Sequence, residues 1–137
     1  MNGLHELTKA WLEKAEHDLG TAKIIFLHLP DYHDTIAFHC QQAVEKYIKA
    51  ILVYRQIAFQ RSHDLIYLLD LLSSVTVINN EQYKKAAFIN GFGVQFRYPN
   101  KIVMLSSDDI QHAIDISNEF RKFAHNQTGI PVFDDVN

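Results

Sequence analysis

The 137-residue sequence contains only one cysteine, Cys40. A single thiol excludes an internal disulfide framework and fits a reducing compartment. The start of the chain, residues 1–20, is charged and lacks the apolar run of a signal peptide. No stretch is long and apolar enough to cross a bilayer. These absences predict a cytoplasmic protein with no membrane partner.

Glycine and proline are also scarce, with five and three copies, and apart from Gly20 they lie between periodic apolar segments rather than inside them. This spacing is typical of helices joined by short connections. We expect an all-α fold, an up-down helical bundle of four or five helices with two long antiparallel helices. One helical domain should span residues 1–128 and a short tail residues 129–137.

The sequence has no excess of positive charge, because 16 acidic residues outnumber 13 basic ones and give a net charge of -3. This balance argues against binding of nucleic acid through bulk charge, whereas a local basic site is still allowed. There is no glycine-rich phosphate loop, no nucleophile elbow and no histidine pair at metal-ligand spacing on a helix. We expect no metal and no cofactor.

Apolar residues at helical spacing define the two long helices. The first ends at Pro30, and the second opens near Asp31 or Asp34, either of which can cap it. The predicted buried face of the first consists of Leu4, Leu7, Trp11, Ala15, Leu19, Ala22, Phe26 and Leu29. That of the second consists of Ile36, Cys40, Ala43, Tyr47, Ala50 or Ile51, and Tyr54.

Three further helical patterns follow. Ser62 can cap a third helix that ends near Ser73, and residues 81–90 predict a fourth helix stopped by Gly91. Ser106 with Asp109 three residues later is typical of a capping box and begins a last helix that runs to about residue 127.

Two charged residues interrupt the predicted apolar faces. Asp18 falls inside the stripe of the first helix, either as an edge residue that reaches water or as a semi-buried acid paired with an arginine or histidine of another helix. Arg121 falls inside the apolar face of the last helix, four residues before His125. An arginine that binds phosphate beside a histidine that carries a proton could cleave a phosphodiester, although a histidine near a helix end is also a common dipole contact.

The second helix presents a polar face with Gln42, Glu45, Lys46 and Lys49. Glu45 and Lys49 have the spacing of an ordinary solvated surface pair. Arg97, Tyr98 and Pro99 form either a turn over the core or a segment that engages a phosphate and a base.

Together these segments resemble the HEPN domain family. The likeness lies in Phe38–Ala50 (FHCQQAVEKYIKA), then His63-Asp64-Leu65, then Arg97-Tyr98-Pro99, with Ala15, Asp18, Leu19 and Ala22 on the first helix. It extends from about Leu4 to Gln127. The resemblance implies a helical bundle, commonly a homodimer, that binds nucleotide or RNA. Small prokaryotic members are often encoded beside a minimal nucleotidyltransferase, in pairs that behave as toxin and antitoxin.

The resemblance also implies a nucleotide-binding site, and the chain matches the branch of the family with an Arg-Tyr-Pro segment. The matching positions are Gln42, Glu45, Lys46, Lys49, His63, Asp64, Arg97 and Tyr98. The basic residues among them would neutralise phosphate, Tyr98 could stack on a base, and Glu45 or Asp64 could orient the basic side chains. Asp18 would support this cleft from the first helix.

Two alternatives remain open. The first is a metal-independent ribonuclease toxin that uses Arg121 and His125, although ribonuclease members of the family carry four to six residues between these two types and this chain carries three. The second is a non-catalytic interaction module. An aromatic group could mark a dimer interface or simply complete the core. Its members are Tyr83, Phe88, Phe92, Phe96, Phe120 and Phe123.

Overall fold

A computed structural model of the protein describes residues 2–92 and 105–132. This part of the chain forms five α-helices and no β-strand, which confirms the predicted all-α bundle. The helices are α1 (Asn2–His28), α2 (His33–Tyr54), α3 (Leu65–Leu72), α4 (Asn80–Asn90) and α5 (Ser107–Thr128). Phe96, Arg97 and Tyr98 lie outside the described residues.

Local capping chemistry sets several helix ends. Ser106 and Asp109 form the predicted capping box of α5, and Gly129 ends that helix in the left-handed conformation at φ 70°. Gly91 follows the last residue of α4, as expected. Two predicted caps are wrong: Asp64 rather than Ser62 caps α3, and α2 begins after Tyr32 with no side-chain cap, so neither Asp31 nor Asp34 has this role.

Helix α2 is the central element of the bundle. It packs against α1, α5, α3 and α4, and the four-residue connection from α1 makes these two long helices antiparallel neighbours. The predicted apolar face of α2 is buried except at Tyr54, which is 39% exposed. Because α2 is surrounded in this way, several of its polar side chains also lie close to another helix or to a loop.

The buried face of α1 agrees with the predicted one at Ala15, Leu19 and Ala22 but not along its whole length. Leu7 and Leu29 are 53% and 46% exposed, whereas Thr8 and Leu12 are fully buried. The packing of α1 against both α2 and α5 selects this rotated face. Burial of Thr8 is tolerated because its hydroxyl donates a hydrogen bond to the Leu4 carbonyl.

Most of the described aromatic group belongs to the core or to its edge. Phe92 and Phe120 are buried, and Phe88 packs edge-on against Phe92. Phe123 and Tyr83 are partly buried against the same core. No helix in residues 2–92 and 105–132 combines the length and hydropathy needed to cross a membrane.

Candidate functional site

Three carboxylates organise the charged side chains of the bundle: Glu16 and Asp18 on α1, and Glu45 on α2. Each forms an ion pair with a basic residue that the sequence predicts to belong to a functional site. Lys49 pairs with Glu45, Lys46 with Asp18, and Arg121 with Glu16.

We call the group around Glu45 the Glu45 cluster; it consists of Gln41, Glu45, Lys49 and His63. Glu45 Oε2 accepts a hydrogen bond from Lys49 Nζ at 2.8 Å, and Oε1 pairs with His63 Nδ1 at 2.9 Å. Gln41 Nε2 donates to the His63 carbonyl at 3.1 Å, so the backbone of His63 is held as well as its ring. The cluster thereby joins α2 to the residue that precedes the α3 cap.

Burial in the Glu45 cluster is uneven. The side chains of Glu45 and Lys49 are 4% and 8% exposed, whereas that of His63 is 52% exposed. The interpretation of Glu45 and Lys49 as a solvated surface pair is therefore wrong: the pair forms, but inside the protein. A buried carboxylate keeps its charge only when it is paired and hydrogen-bonded, and Lys49 with His63 meets that need.

Aromatic rings enclose the ammonium group of Lys49. Its Nζ lies 5.6 Å from the ring centroid of Trp11 on α1 and 5.7 Å from that of Phe59 in the loop after α2. Such cation–π contacts stabilise an ammonium that has lost its water. In this arrangement Lys49 completes the charge of the cluster, and His63 is the cluster's surface group.

Two environments were predicted for Asp18, and the structure shows the semi-buried acid that pairs with another helix. Its carboxylate is 14% exposed and accepts hydrogen bonds from His39 Nδ1, at 3.0 Å, and from Lys46 Nζ. Both partners lie on α2, so Asp18 is a semi-buried acid that ties α1 to the polar face of α2. Lys46 is 23% exposed and remains partly accessible beside this pair.

Of the other predicted nucleotide-binding residues, some make contacts within the bundle and the rest lie outside the described residues. Asp64 caps α3 through the Ile66 N–H and also accepts from Asn90 Nδ2 of α4 at 3.0 Å. Gln42 donates to Gln41 Oε1 at 2.7 Å, next to the Glu45 cluster. Glu45, Lys49 and His63 are thus brought together, while Arg97 and Tyr98 lie outside the described residues.

Glu16 is a site residue that the sequence patterns did not identify. Its Oε2 accepts a hydrogen bond from Arg121 Nε at 2.6 Å and another from the Tyr47 hydroxyl. Burial alone would raise the pKa of Glu16, but these two hydrogen bonds and the charge of Arg121 hold the pKa below its ordinary value. The signal that could have found Glu16 is Arg121 itself, since a cation on an apolar helix face needs a carboxylate opposite.

His125 lies behind Arg121 and is 4% exposed. Its Nδ1 donates a hydrogen bond to the Ile130 carbonyl at 2.8 Å, since a carbonyl can only accept. Its Nε2 lies 3.7 Å from Glu16 Oε2. The predicted pair is therefore assembled around Glu16, with Arg121 at the surface side and His125 inside; Ile130, in the predicted tail, is itself buried.

A groove of about 500 Å³ opens beside Arg121. A hypothetical Cβ on Gly20 would meet no atom within 4 Å, so the missing side chain helps to leave the groove open. Its lining consists of Glu13, Glu16, His17, Leu19, Gly20, Lys23 and Arg121. The groove is therefore lined by two cations, Lys23 and Arg121, and by two carboxylates, Glu13 and Glu16, of which Glu16 pairs with Arg121.

Metal binding and thiol chemistry were also considered for the described residues. Residues 2–92 and 105–132 contain no group of three or more histidine, cysteine, aspartate or glutamate residues placed to hold a metal ion. Burial raises the pKa of the Cys40 thiol to about 12, which keeps this sulfur protonated and unreactive.

Comparison with known proteins agrees with this architecture. The family model for the HEPN domain matches residues 8–127. The chain belongs to the HEPN domain family. Two crystal structures share its fold: ST0689, an archaeal HEPN homologue, with a TM-score of 0.71 and 21% identity, and TT1696 from Thermus thermophilus, with a TM-score of 0.73 and 23% identity. Each likeness covers 88% of this chain and 97% of the other.

A curated relative shares a shorter region with this HEPN protein. Putative toxin MJ1304 of Methanocaldococcus jannaschii is 42% identical over 53 residues, which are 39% of this chain. The matched region spans about a third (34%) of that relative's length.

Proposed function

We propose that this HEPN protein binds a nucleotide or an RNA end, and that it is the toxin-like member of a pair whose other member is a nucleotidyltransferase. The observation that carries the proposal is the Glu45 cluster. A buried carboxylate there fixes a half-exposed imidazole at the polar face of α2. Membership of the HEPN family and the relative named as a toxin support the proposed pairing.

The proposed binding surface lies around His63 and extends along α2 to Gln42 and Lys46. Lys49 contributes to this surface indirectly. Its ammonium group pairs with Glu45 and lies against the rings of Trp11 and Phe59. Arg97 and Tyr98 complete the surface in this proposal, with the guanidinium on a phosphate and the phenol ring on a base. The protein acts as a homodimer, as the family resemblance implies.

Calorimetric titration with AMP, and with a short RNA that carries a 5′ phosphate, tests the proposed surface. The double variant Arg97→Ala/Tyr98→Ala should bind at least about tenfold more weakly, because a hydrogen bond to a charged group contributes about 1.5–3 kcal/mol. The matched control is Lys84→Ala, since Lys84 is a lysine on α4 whose side chain is 76% exposed. Absence of binding by the parent, or equal binding by the double variant, would contradict the proposal.

A second candidate function is a metal-independent ribonuclease at the groove beside Arg121. The observation that favours it is that Arg121 and Lys23 both line an open groove, with His125 directed at the carboxylate that holds Arg121. Arg121 would contact the phosphate. The sequence predicts His125 as the acid or base, but because its side chain is 4% exposed we propose instead that it acts on Arg121 through Glu16 as a positioning residue.

This candidate is tested by incubating RNA with the purified protein in a chelator of divalent metals. Cleavage should occur in the parent, and both Arg121→Ala and Gly20→Leu should abolish it, the first by removing the cation and the second by filling the groove. Lys84→Ala again serves as the control. If the parent leaves the RNA intact, or Arg121→Ala cuts equally well, the protein is not this ribonuclease.

A further inference from the structure

His63 is fixed on one edge of its ring and accessible over half of its side chain. Its Nδ1 pairs with Glu45 Oε1 at 2.9 Å, and an ionised carboxylate can only accept, so Nδ1 carries a proton. In residues 2–92 and 105–132, Nε2 on the opposite edge makes no hydrogen bond, and the His63 side chain is 52% exposed. The group that meets a ligand is therefore Nε2.

The charge of the Glu45 cluster depends on that nitrogen. Glu45 and Lys49 form an ion pair and cancel each other. With neutral His63 the cluster carries no net charge and offers a lone pair at Nε2, which repels an anion. With protonated His63 the cluster carries one positive charge and offers an N–H donor, which attracts an anion.

Other charged groups lie near His63 in space or in sequence. Lys49 contacts the far oxygen of Glu45, and Arg61 and Asp64 are the charged neighbours in sequence. The Asp64 carboxylate is engaged by the Ile66 N–H and by Asn90 Nδ2. From α1, the uncharged Trp11 contacts Lys49 of the cluster. Glu45 is thus the charged group that contacts the His63 ring directly.

We propose that Glu45 and His63 form a proton-coupled binding group for a phosphate monoester, the terminal phosphate of a nucleotide or of an RNA end. When the phosphate binds, Nε2 takes one proton from water, and the resulting N–H donates to a phosphate oxygen. No bond of the ligand is broken. This inference rests on the proposed nucleotide or RNA binding and gives it a defined ligand group and a dependence on pH.

The proton uptake is measured by calorimetry of AMP binding at pH 7.5 in two buffers of different ionisation enthalpy. The observed enthalpy should change with the buffer by an amount equivalent to up to about one proton taken up per AMP bound. Adenosine, which lacks the phosphate, should bind without uptake. A 5′-phosphorylated RNA compared with the same RNA bearing a 5′ hydroxyl distinguishes an RNA end from a free nucleotide as the source of the phosphate.

Two substitutions at His63 separate its proton from that of the phosphate. His63→Gln should lose the uptake and bind AMP at least about tenfold more weakly. His63→Lys carries a permanent charge, and should bind AMP at pH 7.5 without the uptake. His5→Gln, at an exposed histidine on α1, is the matched control, and circular dichroism confirms that each variant is folded.

The outcomes distinguish this inference from the proposed function. If the parent binds AMP or RNA but takes up no proton, and His63→Gln binds equally well, the proton-coupled group is wrong while the nucleotide-binding function stands. If the parent binds neither AMP nor RNA, both proposals are wrong.

Discussion

Glu16 shows how one side chain can determine the behaviour of several others. It accepts hydrogen bonds from Arg121 and Tyr47 and lies next to His125, so it joins α1, α2 and α5 at one point. Burial and the hydrogen bond to Glu16 both raise the pKa of the Tyr47 phenol, which therefore remains a donor at neutral pH. The lowered pKa of Glu16 means that the folded protein favours its charged form.

Stability should consequently fall in acid. A carboxyl group with a lowered pKa in the folded state contributes stability above its unfolded pKa, ordinarily 4.5, and loses that contribution as the pH falls through the lower folded value. Glu16→Gln should cost about 1.5–3 kcal/mol at pH 7 and much less at pH 3, because charge-assisted hydrogen bonds are lost only where Glu16 is ionised.

Urea unfolding of the parent and of Glu16→Gln at pH 7, 5, 4 and 3 measures this difference. Glu6→Gln, at an exposed glutamate of α1, is the control and should match the parent throughout. A gap between the parent and Glu16→Gln that stays constant over the whole pH range would show that the contacts of Glu16 do not depend on its charge.

At the scale of the helices, the sequence predicted those features that depend on local chemistry. The capping box at Ser106 and Asp109 and the end of α4 at Gly91 arise from residues within one turn of each other. The predicted start of α2 near Asp31 or Asp34 agrees with the observed start at His33, but the predicted cap is wrong because this helix begins without a side-chain cap. Asp34 instead lies in its first turn, where an acidic residue is favourable without capping.

The candidate site was only partly predictable, for a different reason. Helical periodicity correctly placed Glu45 and Lys49 on the polar face of α2, but it cannot show what covers that face. The loop between α2 and α3 folds back over it, so that Phe59 reaches Lys49 and the His63 carbonyl reaches Gln41. The pairing of Glu16 with Arg121 joins residues 105 positions apart, a distance that no pattern within one helix can reveal.

At the scale of the whole molecule, the proposal of a paired system predicts an effect in cells. Production of the protein alone should slow the growth of a bacterial host, and production together with the proposed nucleotidyltransferase partner should restore growth. The two proteins should then elute together in size-exclusion chromatography with light scattering, which also gives the number of copies of each. The nucleotidyltransferase produced alone is the control.

A host that grows normally while it produces the folded protein would contradict the toxin-like role. Separate elution of the two proteins would contradict a stable pair. A monomeric mass for this chain alone at high concentration would contradict the homodimer.

Gly20 lowers the stability of helix α1 but leaves the groove beside Arg121 open. Glycine inside a helix costs roughly 1 kcal/mol relative to residues such as alanine, and Gly20 lies within α1 with free space where a side chain would begin. The Gly20→Leu protein that closes the groove should therefore also unfold at a higher temperature than the parent. The Gly20→Leu protein would then be more stable than the parent but would no longer cleave RNA. That result would show that glycine at position 20 lowers helix stability and keeps the surface beside Arg121 open.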